Sequence, residues 1–476
     1  MRVRGRTIVR CFAAGIAVTI PGIGASAQPS DPIDRLERDV VPAVLLKGAP
    51  VPHRSLQEAM AKAHVPGLSI AFIHGGRIAW TRAYGIACDG GAAVTARTRF
   101  QAGSISKSIA TLGAMRLVDE QRVALDSDVN RYLKTWQVPA SDLAAGSPVT
   151  LRRLLSHTAG INGRAYPGYP RGGPVPTLLQ VLDGTPPANT APVRIVLKPG
   201  AQWSYSGGGY TIVQAMIGDV TGRPYANWMQ SAVLSPLAMR DSGYDEPLAA
   251  HACGHSNDGA QVPGGYHLYP EQAAAGLWTT PSDLARALID VQRSLTGAKN
   301  ALLSSATAAT MLVTVKPGHS TGFDIGGASP ARWFRKADDT EGFAALMVAY
   351  RNGDGVVVMT NGSGGSALAE DVVRSVARIY GWRDFRPRVR EAISVPEGLL
   401  ATYPGTFVYD QRARFDIVRK GDGLEIASPG ETPETLYAAS TTEFFTLSQD
   451  VSFMFDGPNS GHIRLGSNLI PFRRVK

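Results

Sequence analysis

The stretch Gln101-Ala-Gly-Ser-Ile-Ser-Lys-Ser-Ile-Ala110 opens an apolar run and sets Ser104 three residues before Lys107. Onward to about Gln121, Ile105, Ile109, Leu112, Met115 and Val118 recur at steps of three and four, which predicts a helix with a buried face starting near Ser104. Residues three apart share a helix face, so Lys107 falls one turn below Ser104, within hydrogen-bond reach. A serine hydroxyl becomes a nucleophile when a neighbour takes its proton. An amine does this when burial and nearby positive charge favour its neutral form. The positive end of the helix favours the same neutral amine and an oxyanion formed beside it. Taken alone, the spacing also fits a capping serine followed by a solvated lysine.

Outward from this stretch, two extended runs, Leu68 to Ile73 and Ile78 to Gly85, flank Gly75 and Gly76 as a hairpin. Helical segments dominate from Ser104 to about Val220. A second hairpin, Phe343 to Tyr350 and Val356 to Thr360, turns between Asn352 and Gly355, and helical spacing from Ala367 to Tyr380 closes this part of the chain. Strand pair, helical block, strand pair and closing helix predict an α+β domain, with one antiparallel sheet and helices packed against it.

The pattern changes near Arg386. Pro387 and Pro396 frame an expected linker over 386–396. Beyond it come short alternating runs, Thr406 to Tyr409, Arg414 to Val418, Leu424 to Ala427, Phe444 to Leu447, Val451 to Phe455, His462 to Leu465 and Ile470 to Arg473. Turn signals at Gly421-Asp-Gly423 and Asp456-Gly457 separate some of them, and 397–476 reads as a small β-barrel. A filled barrel packed on the larger domain, 28–385, is the expected role, with ligand binding inside as the alternative.

The first residues read as a targeting segment. Arg2, Arg4, Arg6 and Arg10 precede the apolar run Cys11 to Ile20, and Ala25-Ser26-Ala27 supplies a small-x-small cleavage pattern. Export to the periplasm or exterior is expected, with 1–27 removed. The apolar run is short and broken by Pro21, so no stable membrane span is expected after cleavage. Loss of four arginines lowers the formal charge from +9 to +5, and no basic cluster points to nucleic acid. Cys88 and Cys253 remain, as a disulfide or as two buried thiols. His251 and His255 stand four apart, but with no further histidine or paired-cysteine spacing beside them no metal is implied, and no cofactor is expected.

Several separate stretches resemble one family. They are Phe100-Gln-Ala-Gly-Ser-Ile-Ser-Lys107, Leu154-Leu-Ser-His-Thr-Ala-Gly160, Lys198-Pro-Gly-Ala-Gln-Trp-Ser-Tyr-Ser206, Ala274-Ala-Gly-Leu-Trp-Thr-Thr-Pro-Ser-Asp283 and Met359-Thr-Asn-Gly362. In this order they resemble the serine β-lactamase and penicillin-binding-protein superfamily, in the branch of class C β-lactamases, D-aminopeptidases, D-alanyl-D-alanine carboxypeptidases and related esterases. The resemblance spans roughly residues 50 to 385. It implies an antiparallel sheet flanked by helices with an all-helical subdomain, and the C-terminal part is similar to lipocalin-like domains attached to some members.

The resemblance implies Ser104 as the acylated nucleophile, Lys107 as its proton acceptor and Tyr205 as proton relay. The family's Tyr-x-Asn reads Tyr205-Ser206-Gly207 here, so the usual amide is gone at Gly207, which argues against penicillin-like or peptide substrates. The third element, counted back from Gly342-Phe343, reads Lys336-Ala337-Asp338. Lys336 keeps a cation at the substrate. Asp338 stands where glycine is usual, and the expected oxyanion hole is formed by the amides of Ser104 and Asp339. Both carboxylates oppose an oxyanion unless they turn to solvent or pair with Arg335 or Lys336. His157 is expected to be structural. The expected function is an exported serine hydrolase acting on an ester or amide of a small molecule or peptide. The alternative is a weakened relative that serves as a binding or regulatory module.

Overall fold

Phe343–Tyr350 is apolar without interruption because it runs through the middle of a sheet covered on both faces. The computed structural model describes residues 31–475 apart from 247–249, 330, 410–412, 430–432 and 467. The expected signal segment, 1–27, lies outside the described residues. The main sheet has six strands in the order Arg77–Gly85, Gly67–His74, Gly355–Thr360, Phe343–Tyr350, Trp333–Thr340 and Asp324–Gly326. Every neighbouring pair is antiparallel.

Strand alternation divides the core in two. Ala345 and Met347 face one cluster with Ile105, Ile109 and Met115. Leu346 and Val348 face the other, with Leu368, Val372 and Val376 of the closing helix Gly365–Ile379.

The Ser104 helix, Ile105–Asp119, differs from the amphipathic expectation. Every residue from Ile105 to Met115 is buried, because the helix lies between the sheet and the helical region. Its polar side chains are satisfied locally. Ser106 Oγ accepts the Leu277 N–H at 3.0 Å, Ser108 Oγ donates to the Gly322 carbonyl at 2.6 Å, and Thr111 Oγ1 donates to the Lys107 carbonyl at 2.8 Å. The region from 120 to 206 is less helical than expected. Its α-helices are the short Leu151–Leu155 and Leu178–Asp183, since prolines such as Pro167, Pro170, Pro186 and Pro187 interrupt the chain.

A closed barrel of eight strands follows, from Gly405–Val408 to Asn468–Arg474, sealed by pairing of Phe407 with Arg474 and Val408 with Arg473. Its interior is occupied by Phe407, Phe415, Phe444, Phe455 and Phe472 among others. One strand, Glu434–Ala438, is absent from the runs read in the sequence. The expected linker also holds structure: Arg388–Arg390 pairs in parallel with Val44–Leu46. Val44 further donates its N–H to the Leu447 carbonyl at 3.0 Å and packs with Phe445 of the barrel. Cys88 and Cys253 form a disulfide, 165 residues apart in sequence.

Candidate active site

Ser104 sits at the cap position of its helix with helical backbone angles, and its hydroxyl makes no capping bond. The oxygen instead accepts two side-chain hydrogen bonds, from Lys107 Nζ at 3.0 Å and from the Tyr205 hydroxyl at 2.7 Å. Lys107 is only 3% exposed, which rules out the solvated-lysine reading. Its Nζ also donates to the Ala274 carbonyl at 2.7 Å. Burial lowers the Lys107 pKa to about 8, while the charge of Asp338 acts to raise it.

Tyr205 reaches this point from the loop that leads into the helix Gly207–Thr221. The neighbouring Ser206 caps that helix, its Oγ accepting the Gly209 N–H at 2.9 Å. His157 Nδ1 accepts the Ser206 N–H at 3.1 Å, and its ring lies 4.4 Å from that of Tyr205. Burial, with the charges of Lys336 and Lys107, holds the His157 imidazole well below its ordinary range. A neutral ring accepting at Nδ1 carries its proton on Nε2, so His157 braces the Tyr205 loop. Gly207 donates its N–H to the Gly163 carbonyl at 2.6 Å. A Cβ there would stand 2.9 Å from the Tyr166 ring, so Tyr166 occupies the space next to the missing amide.

The strand Trp333–Thr340 brings the third element. Its alternation buries Phe334, Lys336 and Asp338 on the face toward Ser104 and leaves Ala337 and Asp339 exposed. Lys336 Nζ lies 5.1 Å from the centroid of the Tyr205 ring. Asp338 neither turns to solvent nor pairs with Arg335 or Lys336, contrary to both expected escapes. Arg335 is on the opposite face, where it pairs with Glu370 at 3.0 Å. The Asp338 carboxylate, 4% exposed, accepts the Ser104 N–H on Oδ1 at 2.5 Å and the Thr340 hydroxyl on Oδ2 at 3.0 Å. One of the two amides expected to cradle an oxyanion is thus occupied. Burial raises Asp338 to about 7, against the Ser104 N–H, Lys107 and Thr340, which lower it.

Sequence reasoning missed Ala274, Gly103 and Thr340. A backbone carbonyl such as that of Ala274 has no side-chain signature. Gly103 was visible as a glycine before the nucleophile, and its reason is spatial: its φ is +42° and a Cβ would collide with the Asp338 carboxylate. Thr340 follows from the same period-two rule that puts Asp338 inward.

An antiparallel sheet packed on a central helix with Ser104 at its cap position defines the β-lactamase/transpeptidase fold class, to which the barrel is an addition. The chain belongs to the Beta-lactamase family, whose profile matches residues 53–379. Esterase EstB from Burkholderia gladioli is 30% identical over 199 residues, 39% of this chain and 49% of EstB. The chain spans about half the length of the relatives it matches first by sequence. Among solved structures, the octameric penicillin-binding protein homologue from Pyrococcus abyssi aligns with a TM-score of 0.61 at 21% identity, covering 88% of this chain and 98% of that one. The D-amino acid amidase from Ochrobactrum anthropi aligns with a TM-score of 0.54 at 21% identity, covering 68% and 97%.

Proposed function

We propose that the protein is an exported serine hydrolase that cleaves an ester or amide through an acyl-enzyme on Ser104. The observation that carries this reading is the convergence of Lys107 Nζ and the Tyr205 hydroxyl on Ser104 Oγ, at 3.0 and 2.7 Å. In its neutral form Lys107 takes the hydroxyl proton as Oγ bonds to the acyl carbon. Tyr205 passes a proton to the leaving alcohol or amine as that bond breaks. Water then attacks the acyl carbon, gives up its proton to the same pair, and releases the acid with Ser104 restored. Lys336 supplies positive charge beside Tyr205 and the incoming substrate. No cofactor enters this sequence of steps.

Export is supported by the arginine-led apolar segment ending at Ala27 and by the Cys88–Cys253 disulfide, a bond that persists in oxidising compartments. Names of similar proteins, an esterase and a D-amino acid amidase, support acyl transfer in general. A second reading, a binding or regulatory module, is favoured by Asp338 on the Ser104 N–H. Labelling separates the two. The mature chain is treated with a fluorophosphonate and digested for mass spectrometry. A phosphonyl group on Ser104, absent in Ser104→Ala, together with turnover of a nitrophenyl ester, is the expected result. An unmodified Ser104 with no turnover sinks the hydrolase reading.

A further inference from the structure

We propose that Asp338 is an internal ligand of the oxyanion hole, whose carboxylate holds the place of the substrate's acyl oxygen and restricts the enzyme to activated esters. This inference rests on the hydrolase reading and names its substrate class.

Three contacts fix the carboxylate in that place. Oδ1 takes the Ser104 N–H, the donor that an acyl oxygen bonded to Ser104 needs. Oδ2 is tied to the Thr340 hydroxyl at 3.0 Å on the same strand. Gly103, with no side chain, leaves the room into which the carboxylate fits. The group is buried on the face of the strand toward Ser104, so the alternation of the strand keeps it from swinging outward.

An acyl substrate must displace this carboxylate or react with its oxygen short of one donor. Loss of one such donor costs about 10²–10³-fold in rate where it has been removed from other acyl hydrolases. That cost falls unequally. An aryl ester or thioester has a reactive carbonyl and a stable leaving group, and reacts with a weak hole. An amide carbonyl is stabilised by its nitrogen and depends on full stabilisation of the oxyanion. The carboxylate also favours the protonated form of Lys107, which cannot accept the Ser104 proton. Removing it acts in one direction on both the hole and the base.

The test compares the wild-type mature chain with Asp338→Gly, Asp338→Ala and Thr340→Val, each checked for folding by circular dichroism. Thr340→Val keeps the strand and the carboxylate and removes only its anchor. Probes are a nitrophenyl ester, the matching nitroanilide and phenylboronic acid, whose adduct with Ser104 places an oxygen in the hole. Asp338→Gly and Asp338→Ala are expected to bind the boronic acid at least about tenfold tighter and to raise kcat/KM by about 10- to 100-fold on the ester, with a larger gain on the anilide. Thr340→Val is expected to move the same way by less. A wild-type enzyme that turns over the ester and is labelled at Ser104, with folded variants that gain neither affinity nor rate, overturns the inference and leaves the hydrolase reading standing. Absence of labelling and turnover in wild type and variants alike overturns both.

Discussion

Lys336 holds its ammonium 5.1 Å from the centroid of the Tyr205 ring. Burial raises the Tyr205 phenol above its ordinary value, and the charge of Lys336 draws it back toward the range in which it can exchange a proton with Ser104. Lys336→Met is expected to lower kcat on a nitrophenyl ester by about tenfold, the size of a desolvated cation–aromatic contact of about 1–2 kcal/mol. The alkaline limb of the pH–rate profile should move upward. Steady-state kinetics across pH check both, and an unchanged profile would separate Lys336 from the phenol.

The rate should follow the neutral fraction of Lys107. With its amine lowered to about 8, turnover is expected to climb as pH rises through about 8 and then level off until the Tyr205 phenol ionises at higher pH. Lys107→Met should remove that limb and cost about 10²–10⁴-fold, the usual contribution of a positioned base. A profile flat between pH 6 and 9 would leave the amine without a part in proton transfer.

The disulfide joins residues 165 apart, so it restrains the unfolded chain strongly. Replacing Cys88 and Cys253 by alanine is expected to lower the unfolding free energy by about 2–4 kcal/mol in a urea titration. Dithiothreitol should act on the native chain in the same direction and leave the double variant unaffected.

Glu271 is fully buried just before the residues that present the Ala274 carbonyl, and its carboxyl group makes no well-formed hydrogen bond among the described residues, with only the Tyr169 phenol and its own backbone N–H near enough to offset burial. Burial raises it to about 7. The native state therefore keeps a proton that the unfolded chain releases near pH 4.5, and wild-type stability declines as pH rises from there toward 7. Glu271→Gln does not ionise. Its Tm relative to wild type is expected to improve between pH 4 and pH 8, measured by thermal melts at both; an equal difference at the two would contradict the buried acid.

How much of this was legible in the sequence depends on distance along the chain. Ser104 and Lys107 are three apart, and helical geometry alone brings their side chains together. Lys336 and Asp338 are two apart on a strand, so a common face follows from the pleat, yet which face meets Ser104 depends on the sheet's packing. The same alternation sends Arg335 away from Asp338, which is why the expected ion pair does not form. Contacts between distant residues carry no local pattern. The Ala274 carbonyl on Lys107, Tyr166 against Gly207 and the pairing of Cys88 with Cys253 belong to that group. The barrel strand Glu434–Ala438 escaped notice because Glu-Thr-Leu-Tyr-Ala alternates weakly.

The ladder between Val44–Leu46 and Arg388–Arg390, with Val44 also bonded to Leu447, stitches the front of the described chain to its rear. A nick near the exposed Ile393 leaves both strands of this ladder on one fragment, and the two fragments would still migrate together on gel filtration, through Val44 on Leu447 and Arg390 on Glu443 and Ser452, and come apart only in denaturant. The two bodies are bound by more than the peptide that leads from one to the other, so the barrel behaves as a fixture of the hydrolase fold rather than cargo on a tether.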